Sequence, residues 1–242
     1  MDIAGKVVVI TGASRGLGAG MAARLAEGGA RLGLCARTVL PAQGDAVVQS
    51  VDITDAAAVV AFTDDVAEAL GPIDLWVNNA GVLDPVAPLR DADPDAVATN
   101  VAINVAGVSN GTIAYVRHRR EVGGGGALVN ITSGAARSPY QGWAAYCASK
   151  AAVDMLTRVV AAEESSSGTR VLAVAPGVVD TDMQARIRAS SPEDFPEVGR
   201  FHELHRTGSF NSPAWVADQL VELAFGPAPD DVVVRIADEP RG

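Results

Sequence analysis

Residues 6–18 read KVVVITGASRGLG, an apolar run that ends in a glycine-rich turn and leads into a helical pattern. Gly12, Gly16 and Gly18 allow the backbone to turn tightly and to approach a pyrophosphate, whose charge the N-terminus of the next helix stabilises. The spacing is G-x-x-x-G-x-G rather than the G-x-G-x-x-G typical of dinucleotide-binding loops. The main evidence for a phosphate-binding turn is therefore its position between a strand and a helix. The segment therefore predicts a dinucleotide-binding unit at the start of the chain.

The same alternation of apolar runs and helical stretches continues through the chain. It is typical of a doubly wound, mostly parallel sheet with helices on both faces, and the runs lack strict polar alternation, as strands buried on both faces do. We therefore predict a single-domain, Rossmann-like α/β fold over residues 1–242 with seven strands. The expected strands are Lys6–Thr11, Arg31–Arg37, Ala46–Asp52, Ile73–Asn78, Ala127–Thr132, Arg170–Ala175 and Asp231–Ile236. The expected helices lie near residues 16–28, 55–70, 94–120, 143–166 and 213–225.

Two stretches interrupt this alternation. Thr38–Gly44 is short for a crossover helix, so we expect a turn or a short helical stub there. Residues 182–211 are rich in Pro and Ser, carry Phe195, Phe201 and Phe210, and show no clear periodicity. A long segment of this kind inside a compact domain is typical of a binding loop or a lid over a substrate pocket. A disordered surface insertion is the alternative interpretation.

The chain is acidic, with 19 Lys and Arg against 29 Asp and Glu and a net charge of −10. Such a field disfavours nucleic acid and anionic membrane surfaces as partners, but it is compatible with a local basic pocket for one small anion. No apolar run approaches the roughly 18 residues of a membrane span, and the first residues lack the basic region of a signal peptide. We therefore expect a cytoplasmic protein.

The cysteines and histidines indicate neither a disulfide framework nor a metal site. Cys35 and Cys147 are too few for a framework and fit a reducing compartment. His202 and His205 stand three residues apart and do not form an H-E-x-x-H pattern, so a solvated helix face is the better interpretation.

Arg37 ends the second predicted strand, 19 residues after Gly18. Dinucleotide folds that prefer NAD usually have Asp or Glu at this point, where the acid accepts a hydrogen bond from the ribose 2′-hydroxyl. A guanidinium can instead bind a 2′-phosphate through two hydrogen bonds, and Arg15 could supply a second cation. The pattern favours NADP(H) over NAD. A solvated arginine at a strand end is the alternative.

Tyr146 and Lys150 are four residues apart on a predicted helix, so they share one face. A nearby ammonium group lowers the pKa of a phenol, which makes the phenol a usable acid or base. Ser133 closes a buried strand 13 residues before Tyr146. The carboxyl ends of strands in an open α/β sheet face the ligand crevice, so the Ser133 hydroxyl is expected where a substrate carbonyl could lie.

Taken together, these motifs resemble those of the short-chain dehydrogenases/reductases over nearly the whole chain. The resemblance is carried by TGASRGLG at 11–18, VDITD at 51–55, NNAG at 78–81, NVAG at 104–107, Ser133, the YCASK segment at 146–150 and PGVVDT at 176–181. It implies a catalytic tetrad of Asn104, Ser133, Tyr146 and Lys150. In that tetrad Tyr146 would be the acid or base, Lys150 would lower its pKa and hold the nicotinamide ribose, Ser133 would polarise the carbonyl, and Asn104 would bend its helix and hold a water.

The resemblance also implies a set of cofactor-binding residues. These are Gly12, Ser14, Arg15, Leu17 and Gly18 for the phosphates, Arg37 for the 2′-phosphate, Asp52 and Ile53 for the adenine, Asn79 and Gly81 towards the riboses and nicotinamide, Tyr146 and Lys150, and Val179 and Thr181 for the carboxamide. Two departures from the family pattern are the shortened connection after Arg37 and the charged segment ADEP at 237–240. We expect a homo-oligomer, and the charged segment leaves a dimer or a tetramer open.

The function expected from the sequence is an NADP(H)-dependent oxidoreductase that interconverts a carbonyl and a secondary alcohol. Its substrate pocket would be formed by Leu83, Ala135, Tyr140, Trp143 and residues 182–211, and the phenylalanines there favour a small, hydrophobic or ring-bearing substrate. Two alternatives stay open from the sequence. One is a catalytically silent NADP-binding sensor or scaffold, and the other is a different reaction of the same family, such as epimerisation, dehydration or imine reduction.

Overall fold

The computed structural model describes residues 3–38 and 46–240, and within these ranges it shows one seven-stranded sheet. The strands are β1 (Val7–Thr11), β2 (Arg31–Ala36), β3 (Ala46–Ser50), β4 (Leu75–Asn78), β5 (Gly126–Ile131), β6 (Thr169–Ala175) and β7 (Val233–Arg235). Their order is β3-β2-β1-β4-β5-β6-β7, and each neighbouring pair is parallel. The predicted α/β class and the seven strands are therefore confirmed.

Helices cover both faces of this sheet. They are α1 (Gly16–Glu27), α2 (Ala56–Leu70), α3 (Pro94–Val101), α4 (Val108–Val122), α5 (Ala144–Glu163), α6 (Asp182–Arg188), α7 (Val198–Thr207) and α8 (Pro213–Phe225). Within the described ranges, none of the helices combines the length and the apolar character needed to cross a membrane.

The alternating side chains of β1 show how the two faces are filled. Val8 and Ile10 belong to a core with side chains of α1 and α8, whereas Val7 and Val9 belong to a second core with side chains of α2, α4 and α5. All five residues of β1 are buried, since each face of the strand meets a helix layer. This double burial explains why the strand sequences are continuously apolar.

The helix predicted over residues 94–120 is divided in the structure. A π-helical segment, Ala102–Gly107, separates α3 from α4, and Asn104 lies fully buried within it. Single turns of π-helix are often found at functional sites. A hydrophobic pattern read at 3.6 residues per turn does not reveal such a segment, and only the family resemblance, which implied that Asn104 bends its helix, pointed to this place.

Residues 182–211 are not the irregular loop that the sequence predicted, because α6 and α7 lie within them. These helices have seven and ten residues, which is too short for a repeating apolar pattern to stand out. In α7, Val198 and Phe201 are buried three residues apart on one face. The predicted turn or stub at Thr38–Gly44 lies outside the described residues except for Thr38.

His118, near the C-terminal end of α4, joins this helix to the segment that enters β4. Its Nε2 atom accepts a hydrogen bond from the backbone N–H of Ile73 at 3.0 Å, and the residue is 8% exposed. Burial, followed by the charge of Arg119, lowers the pKa of His118. Only an imidazole without a proton on Nε2 can accept this bond, so the folded protein favours the neutral form.

We therefore expect the protein to become less stable as the pH is lowered, because His118 is protonated more easily in the unfolded state. Because its pKa is lower in the folded than in the unfolded protein, the free energy of unfolding should decrease as pH falls through about 6.5, the usual histidine value. Urea unfolding at pH 7.5 and 5.5 tests this, with His118→Gln expected to flatten the difference. The exposed His202→Gln variant is the matched control, and an unchanged decline in His118→Gln would contradict the prediction.

Candidate active site

A cleft of about 820 Å³ runs along the carboxyl ends of the strands. Ligands of open α/β sheets bind in this position, because the loops that follow parallel strands meet at one edge. Every residue predicted to bind a cofactor lines the cleft: Gly12, Ser14, Arg15, Leu17, Gly18, Arg37, Asp52, Ile53, Asn79, Gly81, Tyr146, Lys150, Val179 and Thr181. Of the predicted tetrad, Ser133, Tyr146 and Lys150 line it, and Asn104 lies buried behind it.

The glycine-rich loop gives the cleft an anion-binding end. In the described chain, no side chain caps the first turn of α1 and no acidic residue lies within it, so the free N–H groups there are available to a phosphate. Gly12 has φ +67° and Gly16 has φ +55°, values that favour glycine. A Cβ atom on Gly12 would lie 2.7 Å from the Cα of Ala80, so the loops after β1 and β4 are in direct contact. These features fit the pyrophosphate of a dinucleotide.

Asn79 ties the loop after β4 to the end of β1. Its side-chain Nδ2 donates to the carbonyl oxygens of Thr11 at 2.9 Å and Gly12 at 3.2 Å. The hydroxyl of Thr11 accepts the backbone N–H groups of Asn79 and Ala80 in return. Asn79 thus shapes the floor of the cleft through contacts with the protein.

The two arginines predicted for a 2′-phosphate have different surroundings. Arg37 is exposed at the end of β2, and its charge contributes to lowering the pKa of Asp52 after the larger effect of hydrogen bonds from Thr54. Arg15 lies 3.2 Å from Asp182 at the start of α6, and both side chains are largely exposed. Arg15 therefore already interacts with α6, whereas Arg37 is an exposed cation of the cleft at the end of β2.

Ser133, Tyr146 and Lys150 form the polar centre of the cleft. The Ser133 side chain favours the ionised form of Tyr146, but burial outweighs this effect and raises the pKa of Tyr146 to about 12. The ammonium of Lys150 donates to the carbonyl oxygen of Ile131 at 2.8 Å and is 4% exposed. Burial lowers the pKa of Lys150 to about 8.

The lowering of the pKa of Tyr146 by Lys150 stays a prediction, because burial is the largest influence on Tyr146 in the structure. The Nζ atom of Lys150 lies 5.7 Å from the centre of the Tyr146 ring and is directed to the Ile131 carbonyl. Burial is the largest influence on both groups, and burial disfavours charge. At neutral pH Tyr146 therefore holds its proton, the form that can donate to a carbonyl oxygen.

Asn104 joins the π-helical segment to the loop after β4 and to α5. Its Nδ2 donates to the carbonyl of Val82 at 2.8 Å and also to Asn100 and Ser149, and its Oδ1 accepts the N–H of Val82. A Cβ atom on Gly81 would lie 3.1 Å from this Oδ1 and 3.7 Å from the Nζ of Lys150. Asn104 thus lies just behind the lysine, and its amide atoms contact protein groups where the resemblance implied a water.

An aromatic cluster forms one wall of the cleft and anchors residues 182–211. The rings of Trp143 and Phe195 stack with centroids 4.5 Å apart, and Trp143 meets Tyr146 edge-on at 5.9 Å. Phe195 is fully buried, and Phe201 is 5% exposed. Of the three phenylalanines singled out from the sequence, only Phe201 lines the cleft, and Phe210 packs against His205 outside it.

Sequence reasoning assigned residues 182–211 to the pocket wall without naming which of them line the cleft, and it missed Asp84 and Arg235. The additional lining residues at this end include Asp84, Met183, Gln184, Arg186, Ile187, Arg200 and Arg235. An ion pair between Arg186 and Asp84 at 3.0 Å joins α6 to the loop after β4, and the pair between Asp182 and Arg15 joins it to the loop after β1. These pairs join residues more than 100 positions apart, so no local pattern could have indicated them.

The comparisons with known proteins agree with this geometry. The family described as short chain dehydrogenase matches residues 6–192. This chain belongs to that family. Members of the family use nicotinamide cofactors, and the recognition made from the sequence is confirmed.

Similar enzymes include a benzil reductase ((S)-benzoin forming) from Bacillus cereus, 34% identical over 90% of this chain and 93% of that enzyme. A cis-4-hydroxycyclohexanecarboxylate dehydrogenase from Sinomonas cyclohexanicum is 36% identical over 76% of this chain and 77% of that enzyme. Among solved structures, the KRED1-Pglu enzyme superposes with a TM-score of 0.85 at 31% identity, covering 95% of this chain and all of that one. The short-chain dehydrogenase is therefore an oxidoreductase, and these two relatives are named for carbonyl or alcohol substrates.

Phe195 should contribute strongly to stability because it is fully buried against Trp143. Phe195→Ala should lower the free energy of unfolding by about 3–5 kcal/mol, the usual cost of such a truncation in a core. Phe210→Ala, in the same segment but only partly buried, is the matched control and should cost clearly less. Equal losses in urea unfolding would show that the aromatic stack does not anchor the segment.

Proposed function

We propose that the chain is an NADPH-dependent reductase that converts a carbonyl group on a small, hydrophobic, ring-bearing molecule into a secondary alcohol, with Tyr146 as the proton donor. The carrying observation is that Tyr146 lines one cleft together with the glycine-rich loop and with a cluster of aromatic and aliphatic side chains. This arrangement suits a nucleotide on one side of the tyrosine and an apolar substrate on the other.

The chemistry follows from the state of the three polar residues. NADPH, when bound, supplies a hydride for the carbonyl carbon. The carbonyl oxygen gains negative charge as this happens, and hydroxyl donors directed at it stabilise that charge. Tyr146, which holds its proton at neutral pH, gives that proton to the oxygen, so the product carries one new C–H and one new O–H bond. Ser133 orients the carbonyl, and Lys150 contributes its positive charge beside the reacting oxygen.

Electrostatics support a polyanionic cofactor in a protein that is acidic overall. Six cationic and three acidic side chains line the described cleft, whereas the whole chain carries a net charge of −10. The cationic residues are Arg15, Arg37, Lys150, Arg186, Arg200 and Arg235. This local excess of positive charge favours an anionic ligand in the cleft. We assign the 2′-phosphate of NADPH to Arg37. The planar guanidinium at the end of β2 can donate two parallel hydrogen bonds to two oxygens of that phosphate.

The substrate class is proposed from the wall opposite the nucleotide. Leu83, Ala135, Tyr140, Trp143 and Phe201 line this part of the cleft, and their surfaces are apolar and mostly flat. Such surfaces stack well on rings. The two relatives named above are an enzyme for an aromatic diketone and an enzyme for a cyclohexane ring, and both names agree with a ring-bearing substrate.

Tyr146→Phe should reduce kcat for aromatic ketones and diketones by at least about 100-fold, since proton transfer contributes about 10² to 10⁴ to such rates. NADPH affinity should stay close to that of the wild type, because the ring remains. Tyr140→Phe is the matched control, since it removes a hydroxyl from the same wall that we do not assign to proton transfer. Wild-type turnover in Tyr146→Phe would refute the assignment. Tight NADPH binding with no turnover of any carbonyl in the wild type would favour the silent sensor.

Arg37→Asp should weaken NADPH binding by at least about 10-fold more than NADH binding, because the new carboxylate repels the 2′-phosphate. Cofactor fluorescence titrations with both nucleotides measure this difference directly. Arg90→Asp makes the same charge change at an exposed site outside the cleft and should affect both cofactors little. Equal losses for NADPH and NADH in Arg37→Asp would remove the basis for the NADP preference.

A further inference from the structure

Lys150 is a buried cation whose charge depends on what surrounds it. Its ammonium donates one hydrogen bond to the Ile131 carbonyl, and burial favours loss of its proton. The π-helical segment, β5 and the loop after β4 present Asn104, a backbone carbonyl and Gly81 to it, all of which are uncharged. An ammonium in such a setting needs a nearby negative charge to stay protonated.

Asp154 lies one helical turn beyond Lys150 on α5, and Tyr146, Lys150 and Asp154 follow one another at intervals of four on the same helix. Its side chain is only 14% exposed. The Oδ1 atom of Asp154 is buried and has no hydrogen-bond partner within the described residues. A buried carboxylate oxygen without a donor is costly, which makes a purely structural role a poor explanation for it.

Two other charged residues act on Asp154. The Nε of Arg137, which follows a short turn after β5, lies 4.0 Å from its Oδ2, and this arginine is itself 60% exposed. Arg158, a further turn along α5, is within electrostatic reach of Asp154 but forms two hydrogen bonds with Asp231 at the start of the β7 region. Arg137 is thus the cation that most directly offsets the negative charge of Asp154, and it thereby weakens the effect of that charge on Lys150.

We propose that Asp154 is a positioning residue for Lys150, which keeps the ammonium protonated and in place below the reacting tyrosine, and that Arg137 limits how much of this effect reaches the lysine. The inference rests on the proposed function, because it deepens the role given there to Lys150. The direction of the electrostatic influence agrees with the geometry, since the charge of Asp154 acts to raise the pKa of Lys150 against the effect of burial.

The chain offers an unusually direct measurement, because it contains only two lysines, Lys6 and Lys150. Protein labelled with ¹³C at the lysine ε-carbon should give two titrating NMR signals, and Lys6, beside Asp74 on the opposite edge of the sheet, serves as the internal reference. Asp154→Asn should lower the titration midpoint of Lys150 by at least about 0.5 pH unit. Arg137→Gln should raise it, because the field of Asp154 is then less compensated. Lys6 should not move in either variant.

Activity provides a second readout. The alkaline limb of kcat/KM for carbonyl reduction should move to lower pH in Asp154→Asn and to higher pH in Arg137→Gln, in step with the NMR midpoints. Asp154→Glu should restore most of the shift. Asp218→Asn, which removes an acid that pairs with Arg24 on the other face of the sheet, is the matched control and should leave both readouts unchanged.

Opposite shifts in the two variants are the decisive result, since damage to the fold would not change sign between them. If Asp154→Asn does not fold, Arg137→Gln alone still decides, and an unmoved or lowered Lys150 midpoint there overturns the inference. An unmoved midpoint in a folded Asp154→Asn overturns it as well. If the midpoints shift as expected but the wild type reduces no carbonyl, the proposed function fails, and the coupling between Asp154 and Lys150 stands.

Discussion

Parallel pairing of the seven strands is the constraint on which the rest of the structure depends. A parallel ladder requires each strand to be followed by a crossover, so helices cover both faces and all strands end at one edge. The glycine loop, Asn79, Ser133 and Val179 follow four different strands, and they meet for this reason alone. From Gly12 to Val179 these residues span more than 160 positions of the sequence, yet the topology makes them neighbours in one cleft.

Much of the fold and of the site could be predicted from the sequence because their signals are local. A buried parallel strand needs a continuous apolar run, and a phosphate-binding turn needs glycines next to a helix start, so both can be recognised within a few residues. Tyr146 and Lys150 are likewise related by one helical turn. Their protonation could not be predicted, because the pKa of each depends on burial by residues that are distant in the chain. The sequence indicated a lysine that lowers the pKa of a tyrosine, and the structure shows two groups dominated by desolvation.

The other differences between the sequence predictions and the structure also arise from contacts between residues that are distant in the chain. The π-helical segment at 102–107 is held by Asn104, whose partners Val82 and Ser149 lie 22 and 45 residues away. The helices at 182–188 and 198–207 are too short to create a pattern, and they are fixed by packing of Phe195 and Phe201 on Trp143. Elements that owe their form to tertiary contacts more than to their own periodicity are invisible to a local reading.

The aromatic stack also determines how this enzyme can be changed. Phe195 comes from residues 182–211, and Trp143 comes from the turn that begins the helix of Tyr146, so these two segments share one packed surface. Exchanging residues 182–211 alone for those of a relative would replace the side chains that pack on Trp143 without adjusting Trp143 to them. The natural unit of transplantation is therefore the segment together with residues 140–143, and selectivity in such chimaeras should be inherited from the pair of segments rather than from either one.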